Sequence, residues 1–152
     1  MDHIKTISVV NEQEIDVIME IDQISNPMPW SRCSLMQYIK QERGWSLKIN
    51  QHTCAFLLFS NHIDHCDLLL IATHPHYRRR HYANELLYTL QHYCQTYHLP
   101  RILVEVRASN HDALAFYQQM DFHRRAHRRN YYSNPLEAVS YTHLRAHETS
   151  LH

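Results

Sequence analysis

The sequence predicts an α/β (α+β) fold, a mixed sheet with helices on both faces, formed by one domain. Short apolar or β-branched runs alternate along the chain with amphipathic helical patterns, which is typical of this fold class. No internal repeat, low-complexity tract or linker interrupts them. A chain of 152 residues with 44% hydrophobic content can bury one substantial core.

The first part of the chain is predicted to contain a strand and two helices. A strand over Ile4–Val10 precedes a helix over Glu12–Ile24. That helix has an apolar face at helical spacing, formed by Ile15, Ile18, Met19 and Ile21. The prolines of Asn26–Pro29 end it, and Ser31 is placed to cap a second helix.

The rest of the chain is predicted to alternate strands with two longer helices. The strands are expected at Trp45–Asn50, Thr53–Ser60, His65–Thr73, Ile102–Arg107 and Phe122–Asn130, and the helices at Arg80–Tyr97 and Asp112–Met120.

The segment Glu105-Val-Arg-Ala-Ser-Asn110, with Tyr117 after it, is the most informative for function. It places a carboxylate near the end of a predicted strand and a phenol on the helix that follows. A base and an acid on adjoining rigid elements suit removal of a proton from an amine and delivery of one to a leaving group. The plainer alternative is that Glu105 is a surface charge and Tyr117 a core residue.

A basic turn, Arg78-Arg79-Arg80, joins the apolar strand Leu68–Thr73 to a long amphipathic helix. A helix start offers unpaired backbone N–H groups and the positive end of the helix dipole, which together suit a phosphate group. The arginines strengthen that field, although at least one is expected to point at solvent. A solvated basic face is the alternative interpretation of this run.

These two motifs resemble those of the GCN5-related N-acetyltransferase (GNAT) superfamily. Its coenzyme A loop, Arg/Gln-x-x-Gly-x-Gly/Ala, is matched by Arg78-x-x-His81-x-Ala83. Within it, the chain resembles the ribosomal-protein alanine N-acetyltransferase (RimI-type) family through five segments in order: Pro29-Trp30-Ser31, Ile71-Ala72, Glu105-Val-Arg-Ala-Ser-Asn110, Tyr117 and Arg128-Arg-Asn-Tyr-Tyr132. The resemblance implies the GNAT fold, whose sheet splays at a groove for acetyl-coenzyme A.

The resemblance also implies direct acetyl transfer from acetyl-coenzyme A to the N-terminal alanine of a small-subunit ribosomal protein, without a metal. Glu105 would be the base and Tyr117 the acid. Contacts with the cofactor are expected at Ile71, Ala72, Thr73, Arg78, Arg79, Arg80, His81, Tyr82, Ala83, Asn110 and Tyr117. Contacts with the acceptor are expected at Trp30, Tyr131 and Tyr132.

Three positions depart from the pattern of that family. His81 and Asp121 stand where glycines are expected, and the chain has a single glycine, Gly44. A positive φ at position 81 would cost a histidine on the order of 1 kcal/mol, and its side chain must point away from a pyrophosphate. Leu70 replaces a polar residue beside the substrate amine, which could alter the choice of acceptor.

Residues 138–152 are predicted to be foreign to the acetyltransferase domain of residues 1–137. The run Ser140–Glu148 matches the translation of a transposase adapter used in sequencing libraries. A genuine polar tail is the alternative. If the segment is foreign, the final strand that this family places after Asn130-Tyr-Tyr132 would be missing, and a sheet edge would be exposed.

Composition favours a cytoplasmic protein. Lys plus Arg and Asp plus Glu both number 15, and a net charge of zero argues against direct binding to nucleic acid. No apolar run approaches membrane-spanning length, and the N-terminus lacks the apolar centre of a signal peptide. The cysteines show no paired short spacing and are expected to be reduced, mostly buried thiols: Cys33, Cys54, Cys66 and Cys94. The oligomeric state is left open.

The 15 histidines of the chain invite a metal site, which their spacing does not favour. The best cluster, His62-x-x-His65-Cys66, lies in a predicted hairpin turn and lacks a second ligand pair. Ordinary surface histidines are therefore expected, and no metal.

Two alternatives to the alanine acetyltransferase remain open. Acetylation of another amine, such as a different protein N-terminus, a lysine or a small metabolite, is motivated by Leu70. A non-catalytic module that binds ribosomal or nucleic-acid partners is motivated by Arg78–Arg80 and Arg124–Arg129. The neutral net charge and the lack of an aromatic stacking stripe argue against the module.

Overall fold

The structure, a computed structural model, describes the backbone of residues 3–128 and 138–144 and the side chains of residues 3–124. Strands and helices alternate along these residues, which confirms the predicted α/β class. The helices are α1 (Ile15–Ser25), α2 (Arg32–Lys40), α3 (Tyr82–Thr96) and α4 (His111–Gln119). The strands are β1 (Lys5–Val9), β2 (Gly44–Ile49), β3 (His52–Asn61), β4 (His65–Thr73), β5 (Arg101–Arg107), β6 (His123–Arg128) and β7 (Ala138–Leu144).

Two compact units can be distinguished among the described residues. The first unit comprises residues 3–60 and 69–90, and the second comprises residues 61–68, 91–128 and 138–144. β4 begins in the second unit and ends in the first, whereas α3 begins in the first and ends in the second. That residues 1–137 form one acetyltransferase domain stays a prediction.

The core of the first unit packs α1 and α2 against β3. Its strands follow the order β1-β2-β3-β4, and β2 is antiparallel to both β1 and β3. The core cluster consists of Val10, Ile15, Ile18, Ile21, Leu35, Ile39, Phe56 and Leu58. The predicted apolar face of α1 is therefore confirmed for its three isoleucines, and Met19 packs against the cluster while only partly buried.

Both faces of β3 are covered. Residues 54–59 are all buried, and successive residues of a strand point to opposite faces. Phe56 and Leu58 meet α1 and α2 on one face of the strand. The side chains of Ala55, Leu57 and Phe59 point to the opposite face and are also buried, so another element must cover that face. α3 contributes fully buried leucines to the same unit: Leu86, Leu87 and Leu90. We infer that α3 covers the second face, as a sheet buried on both sides requires.

In the second unit the strand order is β4-β5-β7-β6. β4 runs parallel to β5, and the register pairs join His65–Asp67 to Arg101–Leu103. Both strands extend beyond this short ladder, β4 to Thr73 and β5 to Arg107.

The expectation that the final strand is missing is wrong. Ala138–Leu144 forms β7, which is antiparallel to both β5 and β6. Its residues include a valine, a threonine and a tyrosine, which favour strands, and its pairing satisfies backbone groups along β5. That residues 138–152 are foreign to the domain stays a prediction, because a strand forms from suitable residues whatever their origin.

Side-chain caps define the starts of the first two helices. The Asn11 side chain accepts from the Gln13 N–H at 3.0 Å, and the Glu14 carboxylate accepts from the Asn11 N–H at 3.0 Å. This capping box begins a 3-10 turn over Glu12–Glu14, so α1 itself starts three residues later than the predicted Glu12. Ser31 caps α2 as predicted and accepts from the Ser34 N–H at 3.1 Å.

Candidate active site

The end of β4 presents backbone groups that suit an extended ligand. Ile71, Ala72 and Thr73 are half-buried, and Ala72 packs against the core cluster of the first unit. The N–H of His74, just after β4, donates to the Cys54 carbonyl of β3 at 2.8 Å. Successive backbone N–H groups of a strand point to alternate sides. Those of Ile71 and Thr73 therefore point away from β3, as the predicted contacts with the pantetheine arm require.

The loop between β4 and α3 has the geometry of an anion site. Arg79 and His81 have φ angles of 64° and 62°, in the left-handed region, and the side chains of residues 78–81 are exposed. α3 starts at Tyr82, two residues after the predicted start, because these backbone angles are not helical. The N–H groups of its first turn and the dipole end fit a pyrophosphate.

The three arginines of this loop differ in their contacts. The Arg80 guanidinium lies over the Tyr77 ring, 5.5 Å from its centroid, and such a cation–π contact holds it in place. The Nε of Arg78 lies 3.5 Å from the Thr73 carbonyl oxygen. All three side chains are exposed, which agrees with the expectation that at least one points at solvent and leaves them available to a phosphate.

We expect His81→Gly to tighten the binding of coenzyme A. His81 has a positive φ of 62°, and glycine would relieve up to about 1 kcal/mol of strain there while letting a pyrophosphate approach the backbone. Calorimetric titration with coenzyme A measures the change. Asp121→Gly is the matched control, since Asp121 also has a positive φ, 67°, but lies after α4. Unchanged or weaker affinity in His81→Gly would contradict this expectation.

Glu105 occupies a rigid, half-buried position in the second unit. β5 alternates strictly, with Ile102, Val104 and Val106 buried and Glu105 half-buried on the opposite face. Its register partner is Ser140 of β7. Glu105 therefore lies two residues inside the end of a strand that is paired at this point, and its side chain is half-buried, which leaves both its role as the base and the plainer alternative of a surface charge as predictions.

Asn110 starts α4, as its sequence position suggests. Its side-chain oxygen accepts from the Ala113 N–H at 3.2 Å. Asn110 thus makes a contact with the start of the helix that carries Tyr117. The role as a cofactor contact stays a prediction.

Tyr117 is a buried phenol on α4. It is 5% exposed, and its ring lies 5.1 Å from the ring of Phe116 and 5.2 Å from that of Phe122. Burial raises the pKa of Tyr117 far above its usual range. The residue is therefore a core residue, as the plainer alternative held, and it is also a phenol that stays protonated, which a general acid must be.

Trp30 lines a small cavity in the first unit. The cavity has a volume of about 300 Å³, and its other lining residues are Ser34, Gln37 and Tyr38. The Trp30 N–H donates to the Asp22 carboxylate at 2.7 Å, and its ring lies 5.6 Å from that of Tyr38. The backbone is thereby fixed at the cavity wall, which suits the predicted contact with an acceptor. Tyr131 and Tyr132 lie outside the described residues.

Leu70 has a packing role. Its side chain lies against the core cluster of the first unit, on the same face of β4 as Ala72. An apolar residue at this position is therefore explained by burial, whether or not it also affects the choice of acceptor.

The four cysteines are free thiols, and all but Cys33 are buried, as predicted. Burial raises the pKa of the Cys54 thiol, and the neighbouring Cys54 in turn raises the pKa of the Tyr77 phenol. A thiol with a raised pKa is a poor nucleophile.

Among the described residues, no helix combines the length and the apolar character needed to cross a bilayer.

Comparison with known proteins identifies the class. Residues 15–122 match the acetyltransferase (GNAT) family, and the chain therefore belongs to that family. The [ribosomal protein bS18]-alanine N-acetyltransferase of Salmonella typhimurium is 31% identical over 129 residues, which cover 84% of this chain and 86% of that enzyme. The enzyme of the same name from Haemophilus ducreyi is 28% identical over 131 residues, which cover 85% of this chain and 90% of its own length.

Solved structures confirm the GNAT fold. The crystal structure of the Escherichia coli alanine N-acetyltransferase for the same ribosomal protein superposes with a TM-score of 0.84 at 27% identity, over 93% of this chain and 94% of that one. Ard1 from Thermoplasma volcanium shares the fold at 21% identity, with a TM-score of 0.86 over 92% of this chain and 97% of its own.

The chain is thus an N-acetyltransferase, and its co-substrate is acetyl-coenzyme A. Membership of this family removes the non-catalytic binding module from the alternatives.

Proposed function

We propose that this chain acetylates the N-terminal alanine of ribosomal protein bS18, with Glu105 as the base. The observation that carries the proposal is the similarity to bS18-alanine N-acetyltransferases, which reaches 31% identity over 84% of the chain. A half-buried carboxylate on β5 and a buried phenol on α4 support the chemistry. The Glu105–Asn110 segment supplies both the base and the cap of the helix that carries the acid.

Glu105 accepts the first proton of the reaction. An α-amino group has a pKa of about 7.7–8.0, so much of it is protonated at neutral pH and cannot attack a thioester. Removal of one proton, directly or through a water molecule, frees the lone pair of the nitrogen. The C–N bond then forms and the C–S bond breaks. Tyr117 gives its proton to the sulfur and the second proton of the nitrogen goes to the Tyr117 oxygen, so coenzyme A leaves as a thiol and the amide nitrogen keeps one hydrogen.

The other predicted residues bind and orient the substrates. The backbone N–H groups of Ile71 and Thr73 hold the pantetheine arm and polarise the thioester carbonyl. The loop Arg78–Ala83 binds the pyrophosphate through backbone N–H groups and positive charge. Trp30 forms one wall of the acceptor slot, and Tyr131 and Tyr132 are proposed to contribute to the same slot.

Tyr117→Phe is expected to lower kcat roughly 10- to 100-fold, because the loss of one hydrogen bond to a developing charge raises the activation free energy by a corresponding amount. The raised pKa of Tyr117 keeps the phenol protonated until the sulfur takes its proton, and phenylalanine removes both this proton and the hydrogen bond to the leaving sulfur. Steady-state kinetics on the acceptor peptide gives kcat. Phe116→Leu, which alters an adjacent ring but removes no hydroxyl, is the control. A kcat within twofold of wild type in Tyr117→Phe would remove this residue from the mechanism.

The raised pKa of Tyr117 also predicts how stability depends on pH. An unfolded tyrosine ionises near pH 10, and burial holds the folded phenol neutral to higher pH. The stability associated with this neutral phenol is thus complete below about pH 10 and is lost as the pH rises towards the folded pKa. Urea midpoints for wild type should fall more steeply than those for Tyr117→Phe between about pH 9 and 11. Parallel curves would contradict this linkage.

A peptide panel tests the acceptor. We expect transfer to a lysine-free peptide with a free N-terminal alanine, and none to the same peptide with a blocked N-terminus. A blocked peptide with an internal lysine represents the second candidate, acetylation of another amine, which Leu70 motivates. Transfer to that peptide alone would replace the proposal by lysine acetylation.

A further inference from the structure

Two histidines and an aspartate converge at the hairpin between β3 and β4. His62 follows the last residue of β3, His65 begins β4, and Asp67 lies two residues further along the same strand. Residues i and i+2 of a strand share a face, so the side chains of His65 and Asp67 lie side by side. The His62 N–H donates to the His65 carbonyl at 2.8 Å, which closes the turn and brings His62 to them. We name this group the hairpin cluster.

The ligand atoms of the hairpin cluster all lie within 4.8 Å of one another. The Asp67 carboxylate is 2.7 Å from His62 Nε2 and 3.3 Å from His65 Nε2. The two imidazole rings are stacked, with centroids 4.5 Å apart and planes 12° from parallel. Three ligands that each lie about 2.1 Å from one zinc ion are roughly 3.4 Å apart in a tetrahedral site. Small side-chain rotations therefore suffice to form such a site.

A supporting carboxylate orients His65. Its Nδ1 lies 2.8 Å from the Asp64 carboxylate, which is also paired with the Arg101 guanidinium at 2.5 Å. When Nδ1 donates to Asp64, the neutral ring carries its lone pair on Nε2, the atom that faces Asp67. Metal-binding histidines are commonly held by such a carboxylate.

The backbone beneath the cluster is held by contacts inside the second unit. His65 and Asp67 belong to the ladder with β5. Cys66, between them, donates to the Asn61 side-chain oxygen at 3.1 Å, and the Asn61 amide donates to the Tyr93 hydroxyl at 2.6 Å. Only His62 lies outside the strands, so two of the three ligands are fixed on a rigid element, as ion binding with little reorganisation requires.

We propose that the hairpin cluster binds a divalent transition-metal ion of the zinc type through His62 Nε2, His65 Nε2 and the Asp67 carboxylate. Two imidazoles and one carboxylate suit zinc better than calcium or magnesium, which prefer oxygen ligands alone. The side chains of the three residues are 45%, 21% and 34% exposed, so water can complete the coordination. The site is an accessory to acetyl transfer, whose chemistry uses Glu105 and needs no metal. The sequence pattern singled out His62 and His65 with Cys66, whereas the structure brings Asp67 to the two histidines.

Competition with a chromophoric zinc chelator tests the proposal on the full chain. We expect the affinity for the most tightly bound zinc ion to be at least about 10-fold lower in His62→Ala and in His65→Ala than in wild type, since each variant loses one of three ligands. Asp64→Asn should weaken it roughly 10-fold through the orientation of His65. His92→Ala, which removes an exposed histidine from α3, is the matched control and should leave the affinity unchanged.

Thermal melting provides the second readout. Zinc should raise the Tm of wild type and of His92→Ala, because an ion that binds only the folded chain stabilises it, and it should not raise the Tm of His62→Ala. Melting without zinc shows that each variant is folded, and His62→Ala is the safest because His62 lies outside the strands. Equal zinc affinity in wild type and in the His62→Ala/His65→Ala double variant would overturn the proposal. So would the absence of zinc binding to wild type.

Discussion

Glu105→Gln is expected to lower kcat by roughly 10²- to 10⁴-fold while the affinity for coenzyme A stays within about twofold of wild type. Glutamine matches the shape of the glutamate side chain but cannot accept a proton, so the ammonium form of the acceptor would no longer be deprotonated by the enzyme. β5 is paired with β7 at this position, and Glu105 has Ser140 as its register partner, so the backbone that carries the side chain is held by the strand ladder.

Rapid-quench measurement of acetyl-peptide formation, with calorimetric titration of coenzyme A, separates the two effects. Glu12→Gln is the matched control, because it makes the same change at an exposed position in the turn before α1. If Glu105→Gln retained more than about a third of wild-type kcat, Glu105 would not be the base. Equal losses of catalysis and of coenzyme A binding would instead indicate a structural role.

Gly44→Ala is expected to destabilise the fold by about 3 kcal/mol. A Cβ at position 44 would overlap the Leu57 carbonyl oxygen and would lie 2.7 Å from Leu58 Cδ2. No rotamer relieves a clash with a backbone oxygen, and the Gly44 carbonyl is itself held by the Val10 N–H at 3.1 Å. The strands β2 and β3 must therefore separate locally, in the middle of the first unit.

Urea unfolding measures this loss, and a fall in Tm of roughly 6–12 °C should accompany it. Ser46→Ala is the matched control in the same strand. The Ser46 hydroxyl is fully buried and has no hydrogen-bond partner within the described part of the chain, so its removal should be neutral or slightly stabilising. A Gly44→Ala chain as stable as Ser46→Ala would show that the two strands can shift at little cost.

Local patterns predicted much of the fold because they act within a few residues. Apolar spacing located α1, and the hydroxyl of Ser31 and the amide of Asn110 marked the starts of α2 and α4. The positive φ of His81 was also anticipated, from the place of a glycine in the family pattern. In each case the cause is a short-range contact or a backbone preference that the sequence displays directly.

The features that were missed depend on contacts between distant residues. β7 forms because β5 offers it backbone groups, and no property of residues 138–144 alone reveals that partner. The hairpin cluster needs the turn that returns His62 to β4 before three scattered residues become neighbours. Similarly, the contact between Arg80 and Tyr77 depends on how the loop folds. The arginine run therefore predicted a positive charge at this loop but not the position of each guanidinium group.

Mass-spectrometric location of the acetyl group on intact bS18 tests the central claim most directly. After incubation with acetyl-coenzyme A and this chain, fragmentation should place one acetyl group on the α-nitrogen of the N-terminal alanine, and Glu105→Gln should leave bS18 unmodified over the same time. Acetyl groups found only on lysine side chains, or equal modification by both chains, would contradict the proposed enzyme.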